Sequence, residues 1–336
     1  MARLVNEFSW SFSRAKVFED CKRKYWFNYY GSWGGWEDSA PLTTKKIYLL
    51  KNLKSRWMWS GEVVHRWVRD ILSVSRTGRR LVPDEVVERA KEEMRSEYKE
   101  SRKNVESVIA VFSGKPESGR SEYAQQGKKK GILLEHFYDP SLPDEKWVEI
   151  VDGVERCVRN FFSSPVFGEL TQIPDRDWLQ IEDDREFPSF SFEGDKVFAK
   201  PDCAHRAGDS AMRIIDWKTD RGKRVEGQDS KQEGPERPSV QLGCYALYAM
   251  NEWGGIPGKI QVLEQNLFTM ERKESLVGEE TLDETRRVIR ESVRKMKDIL
   301  SDRESNSAEE EDFPLTENRR LCNYCNFRIL CGRNPV

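Results

Sequence analysis

The chain has 336 residues, 34% of them charged, 37% in the AVILMFWYC set and 11% aromatic. That length fits about two domains, or one domain with a large insertion, and so aromatic a composition excludes a disordered chain. The longest unbroken apolar run, Cys244 to Met250, has seven residues, whereas a membrane span needs roughly 18. The opening Met-Ala-Arg-Leu-Val-Asn-Glu holds no apolar signal segment, so a cytoplasmic protein without membrane contact is expected. The net charge of −2 conceals an uneven distribution: residues 1–80 carry 16 Lys/Arg against 7 Asp/Glu, and seven of the 11 Trp. Such a stretch suits phosphate contacts with base stacking, and equally a Trp-rich core behind a basic surface.

In chain order, Ser13 is placed to cap a short helix within residues 8–30, and residues 31–60 read as loop, with Gly34-Gly35, Pro41 and Thr43-Thr44. Val64, His65, Val68, Ile71 and Leu72 then recur at helical spacing. Residues 83–112 and 145–163 read as helices. Between the first and second of these, 113–131 is polar and Gly/Lys-rich, a loop pattern. Near residue 180 the texture turns to strands: Phe190-Ser191-Phe192, Val197-Phe198-Ala199 and Met212 to Lys218, in hairpin succession. A charged loop over 219–238 follows, then a helix capped by Ser239, a strand from Ile260 to Phe268, and a long helix with Leu282, Ile289, Val293, Met296 and Leu300 on one face. Residues 301–312 read as a solvated acidic linker before a Cys-rich tail. The order predicts an α/β core with a helical insertion. The expected divisions are 1–70, a basic aromatic region with a first cysteine and the His65 helix; 71–180, the insertion; 181–300, the core; and 301–336, linker and tail.

On a strand, residues i and i+2 share a face. Asp216 and Lys218 therefore emerge side by side from Ile214-Ile215-Asp216-Trp217-Lys218, and the turn at 206–211 would bring Asp202, at the end of the preceding strand, alongside. Two carboxylates beside an ammonium suit Mg²⁺ or Mn²⁺ and, with it, phosphodiester hydrolysis. A lone Asp-X-Lys is more often a surface ion pair, so its neighbours carry weight. His65 can offer a nitrogen ligand or pack in a core. Gln241 and Tyr245 lie four apart on one helix face, a spacing usual for core-edge packing, but here soon after the Asp-X-Lys strand, where the pair could reach substrate or hold Lys218. Glu186 is a weaker candidate acid.

Seven Cys, an odd number, argue against a disulfide framework. Cys322-x2-Cys325-x5-Cys331 lacks a fourth thiol. Cys21 is the best candidate, because Cys157, Cys203 and Cys244 fall inside expected helices or strands and read as buried small hydrophobes. Four thiolates can hold Zn²⁺ or an iron–sulfur cluster. The one-plus-three split leans toward a structural [4Fe–4S] cluster that clips the chain ends together.

Taken together, FSWSFSRAKVFEDCKRKYWFNYY, the His65 helix, Lys200-Pro201-Asp202, Ile215-Asp216-Trp217-Lys218, Gln241-x3-Tyr245 and the three-Cys tail resemble the PD-(D/E)XK nuclease superfamily. The resemblance is to its RecB-like branch with an iron–sulfur cluster, which includes CRISPR-associated RecB-like exonucleases and AddB-type nuclease domains. It implies a restriction-endonuclease-like mixed sheet flanked by helices. It also implies metal ligation by His65, Asp202, Asp216 and the Ile215 carbonyl, catalysis by Lys218, DNA contact or lysine positioning by Gln241 and Tyr245, and cluster ligation by Cys21, Cys322, Cys325 and Cys331. The substrate it implies is DNA, single-stranded or at ends. The alternative expectation is a catalytically weak DNA-end-binding module serving a helicase, recombinase or integrase. With no Gly-x4-Gly-Lys-Ser/Thr loop, no ATP motor is expected in this chain.

Overall fold

The computed structural model describes residues 5–113, 131–183, 186–208, 210–221 and 239–333. The loops expected over 113–131 and 219–238 lie almost wholly outside the described residues. In chain order the elements begin with strand β1 (Ser9–Trp10) and helices α1 (Phe12–Asp20), α2 (Lys22–Trp26, running into a π turn over Phe27–Gly31) and α3 (Leu42–Lys51). Next come β2 (Leu53–Lys54), α4 (Arg56–Ser75), α5 (Pro83–Phe112), β3 (Ile132–Leu133), α6 (Leu134–Tyr138), α7 (Asp144–Ser163) and α8 (Pro165–Leu170). Strands β4 (Trp178–Ile181), β5 (Ser189–Phe192), β6 (Asp195–Phe198), β7 (Cys203–Arg206) and β8 (Met212–Lys218) lead to α9 (Val240–Trp253). β9 (Ile260–Asn266), β10 (Arg272–Val277) and α10 (Glu279–Asp298) complete the set.

The central sheet has the order β10-β9-β8-β7-β4. It is mixed: β8 and β9 run parallel, joined through α9, while the other pairs are antiparallel. Because side chains alternate, Met212 and Ile214 face one layer with Val262, where Leu242, Ala246 and Ala249 of α9 and Leu282 and Ile289 of α10 cover them. Ile215 and Trp217 face the other with Leu263, under Val64 and Val68 of α4 and Val154, Val158 and Phe161 of α7. Covered on both sides, β8 is buried almost throughout. The helical stretch between residues 71 and 180 thus shares its core with the sheet. The fold is the mixed α/β arrangement that the sequence led us to expect, with mixed sheets flanked by helices.

Five local readings change. Ser11, not Ser13, caps α1, because its hydroxyl accepts from Arg14 N at 3.2 Å while Ser13 already lies inside the helix. Residues 31–60 are not all loop: Pro41 starts α3, whose Ile47 and Leu50 bury at helical spacing, and Ser55 caps α4. The three strands in hairpin succession belong to two sheets. β5 and β6 pair with each other and with β1 in a small sheet of order β1-β6-β5, whereas β8 pairs with β7, which begins just after Asp202. Strand β10 extends the edge beyond β9. The acidic segment 301–312 exposes its carboxylates but is docked rather than loose. Trp26 Nε1 donates to Ala308 O at 2.8 Å, Tyr30 OH to Asn306 Oδ1 at 3.0 Å, and the next residue, Phe313, is fully buried. No helix among the described residues is long and apolar enough to cross a membrane.

The basic aromatic N-terminal stretch divides between both readings. Trp10, Trp59, Tyr25 and Phe27 are core residues, while Trp33 and Trp57 stay exposed. Phe27, Leu50 and Leu53 pack with Phe327 of the tail, so the two ends of the chain share one apolar cluster.

Candidate active site

Register brings the acids together. Cys203 pairs with Ile215 and Asp216 with Glu264, so Asp202, one residue before β7, arrives beside Asp216. Its carboxylate is fixed there: Oδ2 accepts from Trp217 N at 2.6 Å, and Oδ1 accepts from His65 Nδ1 at 3.1 Å. His65 projects from α4 because Val64 and Val68 hold that helix on the sheet. Gly61, one turn earlier, lets the end of β8 pass close, since a Cβ there would stand 3.3 Å from Thr219 Oγ1.

A further carboxylate, which no local pattern singles out, completes the set. Glu182 follows β4, and its Oε2 stands 3.5 Å from His65 Nδ1 while Oε1 pairs with Lys200 Nζ at 3.0 Å. His65, Glu182 and Asp202 offer ligand atoms all within 4.8 Å of one another, a set able to hold a metal ion. The available signal was positional: β4 is antiparallel to β7, so the residue after Ile181 must lie beside the residue before Cys203. Glu186, the weaker candidate, is exposed and lines a separate cavity instead.

Asp216 lies outside that trio of ligand atoms but next to it, and is buried. Lys218 Nζ stands 2.6 Å from Asp216 Oδ2, an ion pair without hydrogen-bond alignment. Lys218 Nζ donates to Gln241 Oε1 at 3.0 Å and lies 4.0 Å from Glu264 Oε2. Gln241 Nε2 donates to Tyr245 OH at 2.8 Å and to Asp216 Oδ1 at 3.4 Å, and Tyr245 OH donates to Asp216 Oδ1 at 3.3 Å. The structure thus brings His65, Asp202, Asp216, Lys218, Gln241 and Tyr245 into one constellation. Ile215, whose carbonyl the resemblance made a ligand, lies between Cys203 and Leu263 in the ladder at its centre.

The electrostatics show unbalanced negative charge. Burial, then the nearby Asp202 carboxylate, push Asp216 up to about 6, against the opposing pull of Lys218. Burial disfavours a charged His65, but Asp202 and Glu182 outweigh it and raise His65 well above its ordinary value. For Glu182, burial works upward, yet His65 and Lys200 bring it down to about 2. Burial opposes a charged Lys218, and Asp216 more than compensates, raising it. Carboxylate oxygens with one imidazole form a donor set that suits Mg²⁺ or Mn²⁺, and a divalent cation would offset the repulsion between Asp202 and Asp216.

The second polar centre lies at the chain ends. Cys21, Cys322, Cys325 and Cys331 line one small cavity together with Lys24, Arg328 and Arg333. Cys21 Sγ accepts from Lys24 N at 3.4 Å, Cys325 Sγ from Phe327 N at 3.4 Å and Cys322 Sγ from Arg333 Nη1 at 3.5 Å. Burial, then the neighbouring Cys325 and Cys21, push the Cys331 thiol up to about 12. Four thiols that line one cavity, with N–H donors and cations around them, make a donor set of the type that holds zinc or an iron–sulfur centre. Cys157, Cys203 and Cys244 are buried in the two cores that flank the sheet.

The mixed sheet thus carries Asp-X-Lys on one strand, with a second carboxylate and a helical histidine beside it, a set of groups able to hold a divalent cation next to a lysine. The family model of the PD-(D/E)XK nuclease superfamily matches residues 9–332, and the chain belongs to that superfamily. No curated protein matches. Among solved structures, the crystal structure of SSO0001 is similar at 12% identity and a TM-score of 0.27, over 57% of this chain and 79% of that chain.

Proposed function

We propose that this chain is a divalent-metal-dependent deoxyribonuclease of the RecB-like branch, an exonuclease that hydrolyses single-stranded DNA or DNA ends. The observation that carries the reading is the meeting of His65, Glu182 and Asp202 with the Asp216–Lys218 pair at the strand ends. When bound, a divalent cation supplies a Lewis acid for a phosphoryl oxygen. His65, Asp202, Glu182, Asp216 and the Ile215 carbonyl are the groups that would hold it. Lys218, kept in place by Gln241 Oε1 and Asp216, orients the attacking water and screens charge that develops on the phosphate. Tyr245 and Gln241 fix the free rotation of the Asp216 carboxylate through their bonds to Oδ1.

The cysteine cavity is read as the seat of a structural [4Fe–4S] cluster. The donor set supports this, as does the split of one thiol at the amino end and three at the carboxyl end. The test uses end-labelled single- and double-stranded DNA with Mg²⁺ or Mn²⁺. The expected result is a ladder of short products that chelation abolishes. Metal-independent binding without any cleavage would contradict the reading and favour a DNA-end-binding module.

A further inference from the structure

Beyond Lys218 the chain leaves β8 between two glycines. Gly61 of α4 faces Thr219, and a Cβ on Gly153 of α7 would lie 3.7 Å from the Phe268 ring and 3.9 Å from Arg221 Nη2. Asn266 pins the segment: its Nδ2 donates to Asp220 O at 3.0 Å, and its Oδ1 accepts from Phe268 N at 2.8 Å and Thr269 N at 2.9 Å. Asn160 of α7 adds a bond from Nδ2 to Leu267 O at 2.7 Å. The turn after β9 is thereby fixed to the strand that carries Lys218, and Arg221 and Phe268 emerge side by side.

Guanidinium groups and rings alternate there. Arg221 lies over Trp57 at 4.9 Å and over Phe268 at 5.5 Å from the ring centroids, and Arg156 of α7 lies over Phe268 at 4.5 Å. Such stacks use the plane of a guanidinium and leave its N–H edges for anions. Arg221 Nη2 donates to Glu149 O at 2.9 Å, but Nη1 stays 3.9 Å from Glu149 Oε2, and that carboxylate already pairs with Lys146 at 2.7 Å. Arg156 is exposed and has no ion pair among the described residues. Trp57 is 41% exposed, so the demands of a core do not account for this row.

The row adjoins the candidate active site from three sides. Trp57, Gly61 and His65 fall at i, i+4 and i+8 on one face of α4, which places Trp57 about 12 Å along the helix from His65. Gly153, Arg156 and Asn160 share a face of α7 in the same way. Arg221 follows Lys218 by three residues, at most about 10 Å of extended chain.

We propose that Arg156 and Arg221 form a phosphate track, which holds the backbone of the substrate strand beside the linkage being cut. The proposal rests on the nuclease reading for the identity of the strand. A guanidinium fork matches two phosphate oxygens, and a fork already held against rings loses little freedom on binding. Arg56 covers Trp57 as well, at 5.1 Å, so both rings serve the guanidinium groups rather than a base. The track therefore reads charge and not sequence.

The test measures binding of labelled single-stranded DNA to the full chain in Ca²⁺, by fluorescence anisotropy over a range of salt concentrations. Arg156→Gln and Arg221→Gln should each weaken binding several-fold, alike for all base compositions, and flatten the slope of log affinity against log salt by about 0.7 per arginine. Arg294→Gln is the control. It removes an exposed arginine of α10, the helix on the opposite layer of the sheet, and should change neither quantity. Neutral methylphosphonates placed at single linkages locate the contact: one linkage should weaken the parent several-fold and leave Arg156→Gln unchanged. Parental slopes in both variants, an equal loss in Arg294→Gln, or no linkage whose neutralisation Arg156→Gln masks would overturn the track. Mn²⁺-dependent cleavage by a parent without these effects overturns the track and leaves the nuclease reading intact. Linkage-specific masking with no cleavage in Mn²⁺ or Mg²⁺ overturns the nuclease reading and leaves a strand-binding surface.

Discussion

The carboxylate–lysine site and the cysteine cavity are built by opposite means. The first is assembled by sheet register: once Cys203 pairs with Ile215 and Ile215 with Leu263, the positions of Asp202, Asp216, Lys218 and Glu264 follow. The second has no strand and hardly any helix to place it. Cys21 caps α2, Cys322 ends a single 3-10 turn over Arg319–Cys322, and Cys325 and Cys331 lie on turns of the tail, held by Phe327 against Phe27 and Leu50. A site set by register keeps its frame when one side chain is removed. A site set by closing the chain ends should lose its frame with its ligands.

The largest expected effect tests the first half of that contrast. Asp216→Ala and Lys218→Ala should each lower cleavage roughly a hundred- to thousand-fold, with a thermal melt and iron content like those of the parent. Cleavage at the parental rate in both would remove them from the chemistry. The second half is tested by Cys322→Ser, which should bleach the brown colour of anaerobically purified protein. It should also cost on the order of several kcal/mol of stability, because a long loop is no longer closed. A colourless parent that carries zinc alone would refute the cluster.

What the sequence made legible follows the same division. Period-two alternation was enough to set Asp216 beside Lys218, and the short 206–211 turn to bring Asp202 near, because both are local. Gln241 and Tyr245 were legible from helical spacing after Ser239. Glu182 was not, because its place depends on β4 pairing with β7, more than twenty residues on. Nor was the small sheet, in which Trp10 pairs with Val197 across most of the chain. Local periodicity carries no trace of such partners. Helix α3 was hidden by Pro41 and Thr43-Thr44, which look like loop but start a helix that the tail then covers. Glu186 had the right residue type in the wrong place, since only the structure separates it from His65.

Two smaller effects sharpen the contrast by probing buried polar groups and close contacts away from both sites. His136 is buried between Tyr98 and Trp147, its Nδ1 bonded to Ser101 Oγ at 2.7 Å and its Nε2 without a partner among the described residues. Burial, then Arg102, push it down to about 4. The folded state therefore holds the neutral form, and the unfolded chain takes up the proton more readily. The stability this contributes is complete above the ordinary histidine value of about 6.5 and is lost as pH falls toward 4, at a cost of up to about 3 kcal/mol. Denaturant melts from pH 7 to 4 should show that slope in the parent and a flatter one in His136→Phe. Equal slopes would mean that His136 takes up its proton as readily in the fold as in the unfolded chain.

Gly243, on the helix that carries Gln241 and Tyr245, lets α10 approach: a Cβ there would lie 2.0 Å from Thr285 Oγ1. Gly243→Ala should destabilise by about 1–3 kcal/mol, and Thr285→Ala in the same chain should restore part of it. A neutral single substitution would show that the two helices are not in tight contact.

The central claim is that His65, Glu182 and Asp202 hold a catalytic divalent ion next to Asp216 and Lys218. Crystals grown with Mn²⁺ test it most directly through the anomalous scattering of the metal. The account predicts a peak within coordination distance of His65 and Asp202, absent in Asp202→Ala. A Mn²⁺ peak elsewhere, with none at these residues in a protein that still cuts DNA, would contradict it.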